Sequence, residues 1–373
     1  MGSRALIDLF QANGNVVTTL PTLEFHNDTM TSFITPLHRF FRQFIQRLSK
    51  PAMLVPYSLD HYSMAELDWE SSKQHHKKKV EDLILESDVV VFNAEGCCHS
   101  NNYAARKGLF LLFQAKKKYG KSTLFMNGSV TFNLHSTDRL SPVFRYVSDY
   151  IDAFYVREHL SLAALRDAKV DPGKALYLPD STFKYAEDFS KISSTPIVGG
   201  KYFLISSSMS KPFAALKPEQ LPLGKVVDRL ANNFGKPTFI VKDPEDRYIE
   251  KFALANGYEI FSDGDRLKLF NLFYHANFLF SGRFHHIVLA TLCGCPAIAM
   301  NTTSCKNFGI VQMLSRGGYG KDLINPSALS YSMNLILEQA ESLSRNKMRN
   351  ETKKLLLNFS TEQYRMLMKG FGL

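Results

Sequence analysis

The sequence predicts an α/β protein with two domains, each built around a parallel β-sheet. Short apolar runs rich in β-branched residues alternate with longer segments of helical periodicity, which is the pattern of consecutive βαβ units. This alternation pauses over residues 187–201, where Ser, Thr and Gly are frequent, and then resumes. The chain has 373 residues, enough for two or three domains at about 150 residues each. We therefore expect one sheet on either side of a linker at 187–201.

The strands are predicted from short apolar runs, and the helices from apolar residues spaced three or four positions apart. In the first half, the predicted strands are residues 52–56, 88–92, 122–126, 153–156 and 175–178. The predicted helices of this half are residues 31–48, 77–85, 101–119 and 141–149. In the second half, the predicted strands are residues 202–206, 238–241, 258–261, 277–280 and 296–300. The predicted helices of this half are residues 223–233, 246–256, 265–275 and 286–293.

These elements define three predicted parts of the chain. An N-terminal α/β domain is expected over residues 1–188, a C-terminal α/β domain over residues 189–340, and a helical segment over residues 341–373. The two sheets are expected to face each other across a cleft, and the last helices to cross back onto the first domain. In parallel α/β folds, ligands bind at the carboxyl ends of strands. Polar residues that directly follow a strand are therefore the candidate functional residues.

Composition and charge exclude several classes of protein. Hydrophobic residues make up 45% and charged residues 21%, which excludes a disordered, collagen-like or coiled-coil chain. The net charge of +10 favours an anionic partner, such as a phosphorylated substrate, an acidic glycan, nucleic acid or a membrane surface. The N-terminal residues lack the apolar segment of a signal peptide, and the number of cysteines, 5, is odd. We expect a cytoplasmic protein with free thiols.

The most informative motif is Ser-Gly-Arg-Phe-His-His at residues 281–286, after a predicted strand. Arg283 stands at the start of the next predicted helix, where the helix dipole and the first backbone N–H groups attract anions. His285, two residues later, can give a proton or a hydrogen bond to the same anion. His286 is interpreted as a core histidine. Two polar side chains beside a buried strand contribute little to an apolar core, so we predict an anion site here.

A second motif follows the predicted strand 88–92 and contains Glu95 and His99. A carboxylate and an imidazole together can perform general acid–base chemistry. The alternative is structural: the segment turns the chain, and Asn101 or Asn102 caps the following helix.

Two neighbouring strands also end in hydrogen-bonding side chains. Asn127 and Ser129 follow one strand and can bind a ligand, although an Asn-Gly turn is an equal alternative. Arg157 directly follows the next strand and can form paired hydrogen bonds to a phosphate or a carboxylate. In the alternative interpretation, Arg157 forms a salt bridge with Glu158.

Two more polar residues follow predicted strands. Asp180 can orient an arginine or accept a hydrogen bond from a hydroxyl, and an Asx turn is the alternative. Lys306 can reach a phosphate as a point charge, and an exposed loop lysine is the alternative. The sequence contains no P-loop, no dinucleotide-binding glycine fingerprint, no Gly-x-Ser-x-Gly elbow and no zinc-ligand spacing.

In this order, the motifs resemble those of the polysaccharide pyruvyl transferase family over residues 88–307. The residues that carry the resemblance are Asn93, Glu95, Gly96 and His99; Asn127 and Ser129; Val156, Arg157, Glu158, Ser161 and Leu165; Pro179, Asp180 and Phe183; Ser281, Gly282, Arg283, Phe284 and His285; and Lys306. The Arg-Phe-His and Val-Arg-Glu segments are the most specific. The family commonly opens with a Gly-Asn-x-Gly-Asp-like loop, whereas residues 12–15 read Ala-Asn-Gly-Asn with no Gly-Asp following.

The resemblance implies a GT-B-like enzyme, with the acceptor bound by residues 1–188 and the donor by residues 189–340. Such an enzyme transfers the carbon skeleton of phosphoenolpyruvate onto two hydroxyls of one sugar, which gives a cyclic pyruvate ketal and phosphate. Phosphoenolpyruvate is the donor substrate, and neither a metal nor another cofactor is expected. The acceptor is a cell-surface glycan or its precursor. A lipid-linked precursor would bring peripheral contact with a membrane, and no nucleic acid is expected as a partner.

The resemblance also gives each candidate residue a role. His285 is the expected acid, and Glu95, together with His99, is the expected base. Arg157 and Arg283 are expected to bind the two anionic groups of phosphoenolpyruvate. The remaining substrate-binding residues are Lys306, Asn127, Ser129 and Asp180.

Two other functions are compatible with the same residues. A GT-B glycosyltransferase could hold the diphosphate of a nucleotide sugar with Arg283, Lys306 and a helix N-terminus. A protein without enzymatic activity could bind an acidic polymer through its net charge of +10. The first alternative predicts release of a nucleotide, and the second predicts binding that weakens steeply with salt.

Overall fold

The structure, a computed structural model, describes residues 2–12, 14–19, 56, 59–71, 75–95, 98, 102–132, 140–206, 223–242, 246–300, 306–315, 338 and 340. The chain divides into two compact units. The first unit is Gly14–Leu178, and the second unit is Met1–Asn13 together with Pro179–Leu373. The predicted helix 31–48, the predicted strand 52–56 apart from its last residue, and the helical segment 341–373 lie outside the described residues.

The first unit contains a four-stranded parallel sheet whose strands lie side by side in chain order. The strands are β1 (Val89–Asn93), β2 (Ser122–Gly128), β3 (Ala153–Val156) and β4 (Ala175–Tyr177). The helix that precedes this unit in the chain, α1 (Gly2–Ala12), belongs to the second unit. The helices of the first unit are α2 (Tyr62–Ser71), α3 (His75–Glu86), α4 (Tyr103–Lys117), α5 (Leu140–Ser148) and α6 (His159–Asp167), with a 3-10 turn at Leu59–His61. Since all four strands are parallel, their carboxyl ends lie along one edge of the sheet.

Helix α4 lies at the centre of the first unit. Its middle is buried, with Leu109, Phe110 and Phe113 in the apolar core. The helix begins after Asn102, whose Oδ1 accepts a hydrogen bond from the N–H of Ala104 over 2.8 Å. The structural interpretation of Asn102 as a helix cap is therefore confirmed.

The second unit contains a five-stranded parallel sheet in the order β7-β6-β5-β8-β9. The strands are β5 (Tyr202–Ser206), β6 (Lys236–Ile240), β7 (Glu259–Phe261), β8 (Leu279–Ser281) and β9 (Ala297–Ala299). Besides α1, the helices are α7 (Leu223–Phe234), α8 (Arg247–Ala255), α9 (Arg266–His275), α10 (Phe284–Leu292) and α11 (Lys306–Ser315). A run of 3-10 turns, Ser181–Lys191, precedes β5.

The strand order of the second unit creates a point where the winding direction reverses. From β5 the chain moves outward through β6 and β7, and it then returns to the other side of β5 to form β8 and β9. Ser206 and Ser281, the last residues of β5 and β8, are opposite each other in the register of this pair. Ligands of open α/β sheets bind outside the carboxyl ends of the strands at such a reversal point. Strand β8 borders this reversal point, and the motif at residues 281–286 begins at its carboxyl end.

The predicted α/β class with two parallel sheets is confirmed. Each of the nine described strands and each predicted helix within the described ranges is present, with its ends shifted by at most two residues. The sequence analysis missed α1, α2, α6, α11 and the 3-10 segment. The periodicity of apolar residues is weak in α2 and α11. Helix α1 buries Ala5, Leu6 and Phe10 and was missed despite its apolar face.

The residues between β4 and the predicted linker at 187–201 contribute to an apolar core. Phe183, Tyr185 and Ala186 are buried in the same apolar cluster as Ala5 of α1. Residues 179–188, which the sequence analysis assigned to the N-terminal domain, therefore pack in the second unit, as does α1. No helix in the described ranges is both long and apolar enough to cross a lipid bilayer.

Candidate active site

Two serine hydroxyls lie at the reversal point of the second sheet. The Oγ atoms of Ser206 and Ser281 are 2.6 Å apart, and both residues are fully buried. The Oγ of Ser281 also accepts a hydrogen bond from the backbone N–H of Arg283 over 2.8 Å. This contact fixes the turn between β8 and α10, and it sets where Arg283 enters the helix.

The same turn is held from the other side by Asn307 in the first turn of α11. Its Nδ2 donates to the carbonyl oxygens of Gly282 at 2.7 Å and Met300 at 2.9 Å. Asn307 is fully buried, so these hydrogen bonds are shielded from water. Lys306, the predicted phosphate-binding lysine, is the first residue of α11 and is half-buried directly before Asn307.

The side chain of Arg283 contacts a buried carboxylate. Its Nη2 donates to Oδ1 of Asp246 over 2.6 Å, while Oδ2 of Asp246 accepts from the backbone N–H of Lys242 over 2.9 Å. The Arg283 side chain is 19% exposed, and that of Asp246 is 1% exposed. The guanidinium thus reaches the surface at the N-terminus of α10 with one edge anchored to the protein. This is a suitable arrangement for binding an anion.

His285 lies beside a second buried carboxylate. Its Nε2 is 3.6 Å from Oδ2 of Asp180, too far for a direct hydrogen bond but close enough for an ion pair when the imidazole is protonated. Oδ1 of Asp180 accepts from the backbone N–H of Thr182 over 2.9 Å and from its hydroxyl over 2.6 Å. Asp180 therefore forms the Asx turn that was its structural alternative, and its other oxygen faces the histidine of the motif.

His286, the next residue, is buried, and its ring lies 5.9 Å from that of Phe273. Burial holds the pKa of His286 well below its usual value, and the nearby charges of Arg283 and Lys242 lower it further. The imidazole is therefore neutral near pH 7, which agrees with its interpretation as a core residue.

In the first unit, Arg157 and Ser129 meet at the carboxyl edge of the sheet. Nε of Arg157 donates to Oγ of Ser129 over 2.8 Å, and both residues are buried. The backbone N–H of Arg157 donates to the carbonyl of Gly128 over 3.2 Å. Glu158, also buried, is the cap residue of α6 but makes no side-chain capping bond. The structure thus brings together two residues that the sequence analysis selected from separate strands.

The loop after β2 has a constrained backbone. Asn127 has a φ angle of 58°, in the left-handed region that Asn tolerates better than most residues. A Cβ on Gly128 would lie 2.3 Å from the ring of Phe125, so a larger residue here requires the ring or the loop to move. The backbone N–H of Val130 donates to Oγ of Ser161 over 2.7 Å. These contacts hold Ser129 in place beneath Arg157.

Glu95 lies in the turn after β1 and is half-buried. The turn is tied to the neighbouring loop, because Ala94 N–H donates to the Met126 carbonyl over 2.8 Å and Thr131 N–H to the Cys98 carbonyl over 2.9 Å. His99, its expected partner, lies outside the described residues. In the described part of the chain, no group of three or more His, Cys, Asp and Glu side chains is arranged to hold a metal ion.

The sequence analysis missed four residues of these clusters: Asp246, Ser206, Asn307 and Thr182. Asp246 and Asn307 contact the Arg283 turn from 37 and 25 positions away in the chain. No local pattern reports such a contact. Ser206 could have been found, because it ends a predicted strand and is polar.

The fold is similar to that of UDP-GlcNAc 2-epimerases of known structure. The UDP-GlcNAc 2-epimerase from Neisseria meningitidis, solved with UDP-GlcNAc bound, is similar with a TM-score of 0.55 and 13% identity, over 99% of this chain and 98% of that chain. The UDP-GlcNAc 2-epimerase from Methanocaldococcus jannaschii is similar with a TM-score of 0.51 and 12% identity, over 75% of this chain and 78% of that chain. At such identities the similarity concerns the fold alone, which is GT-B-like.

Comparisons of sequence show the family. None of the curated protein sequences compared with this chain matches it. The family model described as "Polysaccharide pyruvyl transferase" matches residues 4–304, which is most of the chain and includes the Arg157, Arg283 and His285 motifs. The chain therefore belongs to the polysaccharide pyruvyl transferase family.

Proposed function

We propose that this protein transfers a pyruvyl group from phosphoenolpyruvate to two hydroxyls of one sugar in a polysaccharide or its precursor, with formation of a cyclic ketal. Membership of the family supports pyruvyl transfer to a polysaccharide. The observation that carries the finer proposal is the position of Arg283 and His285 at the N-terminus of α10, beside the reversal point of the sheet. The donor, the ketal product and the roles of the individual residues are parts of this proposal.

Phosphoenolpyruvate carries a carboxylate and a phosphate, so its site needs several cationic groups and N–H donors. Arg283 supplies a partly exposed guanidinium, and the first N–H groups of α10 add the positive end of the helix dipole. Lys306 supplies a further charge from the start of α11. In the first unit, Arg157 contacts an anionic group of the substrates.

The proposed reaction balances with one donor and two hydroxyls. The methylene carbon of phosphoenolpyruvate gains a proton, its C2 becomes electrophilic, and one sugar hydroxyl forms a C–O bond there. The C2–O bond to phosphate breaks, and the second hydroxyl forms the other C–O bond of the ketal. The two hydroxyl protons end on the new methyl group and on the released phosphate, so neither an oxidant nor a reductant is needed.

The proton transfers are assigned by the chemistry of the side chains. His285 delivers the proton to the methylene carbon, and its imidazolium form has the buried carboxylate of Asp180 as a counter-ion 3.6 Å away. Glu95, with His99, accepts a proton from a sugar hydroxyl. General acid–base catalysis of this kind contributes about 10²–10⁴-fold to a rate.

The test is thermal unfolding with and without millimolar phosphoenolpyruvate for the wild type, Arg283→Ala and Arg266→Ala. A ligand at about 100 times its Kd stabilises the fold by about 2.7 kcal/mol. We expect this stabilisation in the wild type and its loss in Arg283→Ala. Arg266 is a matched control, because it is another arginine of the second unit that pairs with a buried aspartate, Asp188, over 2.9 Å. Its variant should keep the response.

Two results would contradict the proposal. The first is stabilisation by UDP or UDP-GlcNAc but not by phosphoenolpyruvate, which would favour a glycosyltransferase that uses a nucleotide sugar. The second is an unchanged response to phosphoenolpyruvate in Arg283→Ala, which would remove Arg283 from the site. Release of phosphate from phosphoenolpyruvate only when a sugar acceptor is added would support group transfer directly.

A further inference from the structure

Asp246 is a helix cap residue whose side chain does not cap its own helix. It precedes α8, yet it makes no side-chain hydrogen bond to the first N–H groups of that helix. Asp265, at the same position before α9, shows the usual behaviour, since its Oδ1 accepts from the N–H groups of Leu267 and Lys268 over 2.7 and 3.1 Å. The Oδ1 of Asp246 instead accepts a hydrogen bond from Arg283, which lies 37 positions away in the chain.

The burial of Asp246 makes this contact specific. Asp246 is fully buried, and a carboxylate in such a place needs charged or N–H partners for both oxygens. Nη2 of Arg283 and the backbone N–H of Lys242 meet this need at 2.6 and 2.9 Å. The Lys242 contact fixes the carboxylate, and the carboxylate in turn fixes the guanidinium.

The backbone of Arg283 is fixed independently of Asp246. Ser281 Oγ accepts from its N–H, and Asn307 Nδ2 donates to the carbonyl of the preceding Gly282. These contacts determine where the side chain starts but not where the guanidinium ends. An arginine side chain is long and flexible, and the remaining rotations are restrained by Asp246.

We propose that Asp246 is a positioning residue, which holds the Arg283 guanidinium in the orientation that binds a phosphate group at the N-terminus of α10. The identity of the ligand as phosphoenolpyruvate rests on the proposed function. The positioning itself concerns any phosphate group at this place, so inorganic phosphate can test it.

The sign of the expected effect separates positioning from simple neutralisation of charge. A carboxylate that only neutralised Arg283 would weaken anion binding, and its removal would strengthen it. A carboxylate that positions Arg283 strengthens binding despite its charge, and its removal weakens it. The variant Asp246→Asn removes the charge, keeps the size of the side chain, and so distinguishes the two.

The experiment is titration calorimetry of inorganic phosphate, in buffer without phosphate, against wild type, Asp246→Asn, Arg283→Ala and the double variant. We expect Asp246→Asn to raise the Kd about tenfold, as for loss of one hydrogen bond between charged groups. In the Arg283→Ala background, Asp246→Asn should have no further effect, because Asp246 acts through Arg283. Asp188→Asn, which changes a second buried aspartate–arginine pair of the unit, should leave the Kd unchanged.

Three outcomes would contradict the positioning role. Phosphate binding by Asp246→Asn that equals or exceeds that of the wild type overturns the positioning role. An equal loss in the presence and absence of Arg283 shows a general structural role instead. If Asp246→Asn does not fold, Asp246→Glu takes its place: it keeps the charge but displaces the carboxylate, and an unchanged Kd in this variant contradicts positioning.

Titration of phosphoenolpyruvate against the same variants, beside that of inorganic phosphate, distinguishes failure of this inference from failure of the proposed function. Phosphate binding that depends on Arg283 and Asp246, without binding of phosphoenolpyruvate, rejects the donor and retains the positioning role. Binding of phosphoenolpyruvate that depends on Arg283 but not on Asp246 retains the donor and rejects the positioning role. A wild type that binds neither anion rejects both.

Discussion

The Nε of Arg157 donates a hydrogen bond to Oγ of Ser129 over 2.8 Å, at the adjacent ends of two parallel strands. Both side chains are buried, so the contact is shielded from water. The serine thereby fixes one edge of the guanidinium, and it leaves the orientation of Arg157 dependent on the shape of the loop after β2.

Ser129→Ala removes this acceptor and leaves a buried guanidinium N–H with one partner fewer. We expect a loss of about 1–3 kcal/mol in the free energy of unfolding, measured with urea. We also expect the KM for phosphoenolpyruvate to rise about three- to tenfold, with a smaller change in kcat. Ser148→Ala is a control in the same unit, because the Ser148 hydroxyl donates only to the carbonyl of Arg145 in its own helix. An unchanged KM in Ser129→Ala would contradict a role for this hydrogen bond in orienting Arg157 towards the donor.

Asp180→Asn tests the carboxylate beside His285. The amide can still accept from Thr182, so the Asx turn is kept, while the negative charge 3.6 Å from the imidazole is lost. We expect kcat to fall about tenfold or more, as part of the general acid contribution, with little change in phosphoenolpyruvate binding. Thr182→Val is the control, since it removes a hydrogen bond to Asp180 but keeps the carboxylate. Equal loss of kcat in both variants would assign the effect to the turn.

Lys107 gives a prediction for the dependence of stability on pH. Burial in α4 lowers its pKa to about 7, because the charged ammonium is poorly solvated there. In the unfolded chain a lysine has a pKa of about 10.4, so between these values the unfolded state binds a proton that the folded state lacks. The stability of the folded chain is therefore reduced at pH 7 and below, and it recovers as the pH rises from about 7 towards 10.

Lys107→Met removes this penalty. We expect the variant to be more stable than the wild type at pH 7, by a few kcal/mol at most, since one pKa unit corresponds to about 1.4 kcal/mol. The difference should shrink as the pH approaches 10, which urea unfolding at several pH values measures. Lys78→Met, at an exposed position of α3, should follow the wild type at every pH. A difference that stays constant from pH 7 to pH 10 would contradict the assignment.

Gly128→Ala tests the close packing beneath the loop that carries Ser129. The new Cβ would lie 2.3 Å from the Phe125 ring, so the ring or the loop must move, at about 1–3 kcal/mol of stability. Gly224→Ala, in α7, is the control, because its nearest neighbour would be an atom of Phe252 at 3.7 Å. Helix propensity predicts that the control gains stability. An unchanged free energy of unfolding for Gly128→Ala would mean that the ring has room to turn.

The strands were predictable because buried parallel strands are apolar on both faces. The run Tyr202–Ser206 illustrates this, since it is buried throughout and its apolar residues form a continuous segment rather than an alternating one. Helix α6 was missed because it buries few apolar side chains: of its 9 residues, Ser161 and Leu165 are buried. Short helices of this kind owe their stability to tertiary packing, which no local pattern reports.

The residues of the candidate site that follow strands were predictable from the sequence. Arg157, Ser129, Asp180 and Arg283 were selected on this ground, and the structure shows that two of them, Arg157 and Ser129, are hydrogen-bonded. Asp180 forms a local Asx turn with Thr182, but its approach to His285 and the pairing of Arg283 depend on long-range packing. Asp246 resembles any helix cap in the sequence, and only the three-dimensional structure shows that its carboxylate is directed at Arg283.

Because α1 packs with the 3-10 segment after β4, the first unit is an insertion in the second. The buried Ala5 of α1 is synthesised well before Phe183, which lies in the same apolar cluster. At about 5–20 residues per second, the delay is roughly ten seconds or more. The packing of α1 is thus completed only after the whole first unit has been synthesised, and a chain cut at residue 178 would separate α1 from the 3-10 segment that packs against it.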